Sequence, residues 1–118
     1  TVAAEQKAQM LAFRSMQGGT WTAEERFAPS VVPAISRSGL MLDPAGVPIA
    51  YWQNGTDPAL VQISRRSTTS ASPGNWGRPI TLDRAGAAGL AGVAMAGRHW
   101  LFWMDGTTSA LRGIPVVW

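Results

Sequence analysis

The sequence predicts an all-β fold built from repeated four-stranded antiparallel units. Three observations carry that expectation: a segment that nearly repeats itself 51 residues later, a composition rich in turn formers and tryptophan, and short alternating apolar stretches between turns. Tyr51-Trp52-Gln53-Asn54-Gly55-Thr56-Asp57-Pro58-Ala59-Leu60 stands against Phe102-Trp103-Met104-Asp105-Gly106-Thr107-Thr108-Ser109-Ala110-Leu111. Trp52/Trp103, Gly55/Gly106, Thr56/Thr107, Ala59/Ala110 and Leu60/Leu111 are identical, Asn54/Asp105 share a turn chemistry, and Gly46 falls on Gly97. A period of this size marks stacked supersecondary units. A second echo precedes each unit, because Ser15 to Trp21 and Ser70 to Trp76 both read Ser-x-x-x-Gly-x-Trp.

The bulk numbers set bounds. A chain of 118 residues buries one modest core and makes one domain. Gly 13 and Pro 8, with Trp 6 against Tyr 1, suit many short strands better than long helices. The net charge of +3 comes from arginines scattered between Arg14 and Arg112, with no run longer than Arg65-Arg66. Without clustering there is no patch for nucleic acid or a membrane surface. Zero Cys excludes a disulfide framework and a thiolate metal site. No apolar run approaches the length of a membrane-spanning helix. The chain opens on Thr1 rather than Met, which suggests that a signal peptide or a larger part of the gene product precedes it. A secreted or periplasmic location is favoured on that ground.

Taken in order, Val2 to Met16 has a helix-forming composition without Gly or Pro, so a short N-terminal helix is expected over about Ala3 to Phe13. Its end also alternates like a strand, which leaves an extra strand as the other reading. Trp21 to Phe27 is a strand, followed by a connection through Pro29 and Pro33. Arg37 to Leu42 and Val47 to Gln53 form a hairpin about Asp43-Pro44-Ala45-Gly46, where Pro presets one turn dihedral and Gly accepts a positive one. Asn54-Gly55 turns the chain again. Ala59 to Arg65 and Trp76 to Leu82 follow, with Ser67 to Ser72 as an exposed loop. Gly89 to Met95, Arg98 to Met104 and Ala110 to Trp118 repeat the plan around Asp105-Gly106. Four antiparallel strands in about fifty residues make the blade of a β-propeller. About two blade equivalents are present: an N-terminal segment (1–17), a closing strand and connection (18–34), a first repeat (35–84) and a second, incomplete repeat (86–118). Open blade edges are seldom left bare, so a homo-oligomer or another chain is expected to complete the propeller.

The string Ser38-Gly39-Leu40-Met41-Leu42-Asp43-Pro44-Ala45-Gly46-Val47-Pro48-Ile49-Ala50-Tyr51-Trp52, with Leu60 to Arg66 and Gly74-Asn75-Trp76 after it, resembles the blade repeat of sialidase-like bacterial propellers. The resemblance covers about Gly19 to Leu111. It implies the fold more than the function. The Ser-x-x-x-Gly-x-Trp segments are similar to the Asp-box turn of that superfamily, with Gln17 and Ser72 where its Asp is expected and the Trp one residue early.

Trp52 and Trp103 end equivalent strands. One reading has them fill the core between blades. The other has them form apolar platforms for the C–H face of a sugar, with Asn54 and Asp105 accepting its hydroxyl hydrogen bonds, and repeated sites of this kind give avidity. Trp21 and Trp76 are expected to pack. His99 stands alone without ligand spacing, so no metal or cofactor is expected. Glu24-Glu25 lie on opposite faces of a strand and cannot act as a matched carboxylate pair. Tyr51 has Phe102 as its counterpart, which argues for packing rather than chemistry. Gly86 to Gly92 carries no phosphate-loop lysine. The function expected is a non-catalytic, carbohydrate-binding module using Trp52, Asn54, Trp103 and Asp105. A structural or assembly subunit of a larger complex, and a fragment of a sialidase-like hydrolase, are the alternatives.

Overall fold

The computed structural model describes residues 9–30, 35–55, 59–67 and 76–117. Every regular element among them is a strand, and the pairings are antiparallel. β1 (Gln9–Phe13) pairs with β4 (Glu25–Ser30), and between them β2 (Met16–Gln17) pairs with β3 (Thr20–Trp21). The expected N-terminal helix is corrected here over Gln9–Phe13, while residues 3–8 lie outside the described residues. Leu11 and Phe13 alternate onto one face and pack beside Phe27, Trp52 and Trp76, and that burial overrides helix propensity.

The single strand expected from Trp21 to Phe27 is also corrected. The chain turns about Gly18-Gly19, closes the two-residue pair of β2 and β3, and only then enters β4. Trp21 lies opposite Met16 in that short hairpin and is 59% exposed, so its expected packing role does not hold. Trp76 does pack.

The remaining six strands form one continuous sheet. β5 (Ile35–Leu42), β6 (Pro48–Asn54), β7 (Ala59–Arg65), β8 (Ile80–Met95), β9 (Arg98–Asp105) and β10 (Leu111–Pro115) run as a meander, with β5 and β10 at the edges. The two strands expected around residues 80 and 90 are joined in the 16-residue β8. Its first part pairs with β7 and its second with β9. Trp76 makes only an isolated bridge to Arg66.

The 51-residue period survives in the structure as matched strands, since β6 corresponds to β9 and β7 to β10, and the second part of β8 corresponds to β5. Both units are irregular in this region. β5 shifts register between Ser36 and Ser38 against β6, and β8 shifts between Gly86 and Ala88 and again between Ala88 and Ala91 against β9. The matched turns also agree. Gly46 has φ of 80° and Gly97 has φ of 73°, the left-handed region that glycine enters without strain. Asp43 Oδ1 accepts the amides of Ala45 and Val47, both at 2.9 Å, which fixes the first turn.

The sheet curls into a half-barrel. Tyr51 lies over Gly39 on the neighbouring strand, and its hydroxyl accepts the Gly92 amide at 3.1 Å, which draws β5 and β6 toward the second part of β8. Adjacent residues of β6 face opposite ways, so two cores form. Met41, Ile49, Val61, Ile63, Leu101 and Trp103 fill the inside of the curl. Phe27, Ala50 and Trp52 form the second core beneath β1 and β4.

Candidate functional site

The four residues singled out in the sequence are brought together in two pairs rather than in one site. Trp52 and Asn54 sit two apart on β6 and share a face. The Trp52 indole N–H and the Asn54 amide both donate to Gln62 Oε1, each at 3.2 Å. Gln62 Nε2 in turn donates to Thr81 Oγ1 at 3.1 Å. The chain of bonds crosses β6, β7 and β8.

In the second pair, Trp103 donates to Asp83 Oδ2 at 2.7 Å. Arg112, directly across from Trp103 on β10, places Nε 2.7 Å from Asp105 and 3.9 Å from Asp83. Asp105 Oδ1 accepts the amides of Thr107 at 2.7 Å and Thr108 at 2.9 Å. The Thr108 amide, then that of Thr107, and more weakly the Arg112 charge hold the Asp105 carboxyl below its ordinary pKa. Gln62 and Arg112 occupy matching positions, each opposite the tryptophan of its unit. Polar neighbours therefore differ while the architecture repeats.

Trp52 is 1% exposed and Trp103 2% exposed. They lie in separate cores on opposite faces of the sheet, and neither ring presents a face to solvent. The polar atoms that a sugar hydroxyl would need are already engaged with protein partners. Each indole N–H is satisfied within the sheet, that of Trp52 by Gln62 and that of Trp103 by Asp83.

Sequence reasoning missed a third polar cluster. Glu25 is buried, and its carboxylate accepts Nε and Nη2 of Arg66, both at 2.9 Å, and the Trp76 indole at 3.0 Å. Trp76 stacks on Phe27 with centroids 3.9 Å apart and planes 5° from parallel. Phe13 meets Trp76 edge-on at 5.4 Å. Only the opposed faces of Glu24 and Glu25 were legible, and the structure agrees: Glu24 is exposed and pairs with Arg26.

The surface also carries clefts. One of about 240 Å³ lies at the turns, lined by Asp43, Pro44, Ile49, Arg98, His99 and Val116 among others. Another, of about 420 Å³, separates Leu40 and Leu42 of β5 from Val93 of β8. Among the described residues no group of three His, Asp or Glu stands close enough to hold a metal ion. Among the described residues no helix is long and apolar enough to cross a membrane.

No protein-family model matches the sequence, and no curated protein or solved structure matches it either.

Proposed function

We propose that this chain is a non-catalytic, propeller-type module whose work is assembly. In this reading β5, β6, β7 and the first part of β8 make one blade, and the second part of β8, β9 and β10 make three strands of the next. β1 and β4 then belong to a preceding blade. The observation that carries the reading is the path of β8. It leaves the outer position beside β7 and continues, without a break, into a strand that lies near β5 and pairs with β9. Propellers pass from the outermost strand of one blade to the innermost of the next in this way. The sialidase-like motif from Ser38 to Trp52 falls on β5, its turn and β6, which supports the same reading.

Assembly ranks above glycan recognition because a stacking platform needs an open ring face, and Trp52 and Trp103 are 1% and 2% exposed. The outer edge of β10 has no strand beside it among the described residues. An unpaired edge of this kind is a template for another strand. Sedimentation at micromolar concentration tests the proposal. The particle is expected to be a multiple of 12.5 kDa, and a folded monomer across that range overturns it.

A further inference from the structure

The second unit carries an apolar sheet face on the side turned away from the core. Cross-strand partners share a face, and the register of β8, β9 and β10 sets out three rows. Val93, Trp100 and Pro115 form one, Ala91, Phe102 and Gly113 the next, and Met104 with Leu111 the third. None carries a polar side chain. Val93 is 44% exposed, Met104 37% and Leu111 70%, while Trp100 and Phe102 stack side by side with planes 17° apart. The Phe102 ring lies against Gly113, where a Cβ would collide with it. The result is a flat aromatic surface. With strands about 4.8 Å apart and a rise of about 3.4 Å per residue, it spans about 14 Å by about 17 Å. A patch of that size lies within what monomers commonly expose, so what marks this face is its counterpart in the first unit.

The chain itself shows what covers such a face. At the 51-residue offset Trp100, Phe102 and Met104 correspond to Ile49, Tyr51 and Gln53. In the first unit those three are turned inward, with Ile49 and Gln53 each 1% exposed, and they are covered by Leu101 and Trp103 of the second unit. A unit of the same kind is thus the occupant already seen at the equivalent position.

We infer that the outer face of β8, β9 and β10, centred on Trp100 and Phe102, is the docking surface for a second copy of this chain. The inference rests on the assembly reading and adds to it the surface through which copies meet. It also accounts for the aromatic excess on β9, where Trp100 and Phe102 serve no internal core.

The test uses the full chain. Phe102→Glu and Val93→Glu each place a charge on the face at positions that the internal cores do not use, and Met16→Glu places one on the exposed hairpin of β2 and β3 as a control. Circular dichroism checks that each variant is folded. Sedimentation is expected to show the parent assembled, the first two variants weakened at least about 30-fold in dissociation constant, as for the loss of an interface anchor, and the control unchanged. The sequence has no cysteine, so Met104→Cys offers a single site for a nitroxide label. Its spectrum is expected to be immobilised in the assembly and to become mobile on dilution below the dissociation constant. An assembled parent whose charged variants assemble equally well, or whose label is mobile throughout, overturns this surface and leaves the assembly reading standing. Equal weakening by Met16→Glu also overturns it. A monomeric parent removes both.

Discussion

Glu25 ties the N-terminal strands to the main sheet, and the tie is a buried charge with every near neighbour arranged for it. Its side chain is 3% exposed and that of Arg66 is 21% exposed. A carboxylate taken out of water needs a partner, and the two-pronged guanidinium contact supplies one with fixed geometry. The Arg66 guanidinium also stands 6.0 Å from the centre of the Phe13 ring. Glu25→Ala strands the arginine beside aromatic rings and is expected to cost about 2–3 kcal/mol, at the low side of buried pairs because Arg66 is partly wet. Glu25→Gln keeps a hydrogen-bonding oxygen and should cost less. Urea denaturation of both variants measures the difference, and equal small losses would refute the account. Nothing local in the sequence announces this pair, since Glu25 and Arg66 are 41 positions apart. The adjacent Arg65 and Arg66 read only as a short basic run, yet they point to opposite faces of the sheet. Arg65 binds Asp43 at 2.6 Å while Arg66 binds Glu25.

At the scale of elements, the turns and the period were legible because each depends on residues close together. Asp43 to Gly46 was read from turn chemistry and Gly97 from its place in the 51-residue repeat, and both glycines have positive φ. The unity of β8 was not legible. The sequence reads there as two strands, Trp76 to Leu82 and Gly89 to Met95, whereas Gly86 and Gly92 of the continuous β8 sit where neighbouring groups come closest. A Cβ on Gly86 would stand 2.5 Å from Val61 Cγ2, and one on Gly92 would stand 2.9 Å from the Tyr51 ring. Those approaches come from strands far away in sequence, so no window of the chain contains the reason. Val61 is stiff at its branch and fully buried, which leaves it little room to retreat. Gly86→Ala is therefore expected to destabilise by about 1–3 kcal/mol through overpacking, read from the urea midpoint. The turn from β8 to β9 offers the opposite case. Ala96 has φ of 51°, a conformation that costs a non-glycine residue about 1 kcal/mol. Ala96→Gly should raise stability, or at worst leave it unchanged once unfolded-state entropy is counted. A clear loss at this position would contradict the turn geometry.

Across the whole molecule, the two cores depend on different coverings, and acid should loosen both ends of the main sheet together. The Val47 amide first, with the Arg65 side chain and the Ala45 amide, lowers the Asp43 pKa, and the Thr108 and Thr107 amides lower that of Asp105. A carboxyl whose folded pKa is depressed adds stability above its unfolded value and loses it as pH falls through the folded one. Stability is expected to be flat near neutrality and to decline below about pH 4, with Asp43→Asn flattening part of that decline in a pH series of thermal melts. The second core depends on β1 and β4, because Leu11, Phe13 and Phe27 are what lie over Ala50 and Trp52. Removing residues 1–30 takes that cover away and leaves Trp76 without Glu25, the acceptor of its indole N–H. The shortened chain should show red-shifted tryptophan emission and stronger binding of a hydrophobic dye, since Trp52 passes from 1% exposure toward water. The inner core, built within β5 to β10, keeps its own contacts, so antiparallel strand signal in circular dichroism should persist. Emission identical to that of the full chain would mean that β1 and β4 do not cover Trp52 in solution, and the division of the molecule into two separately covered cores would fall with it.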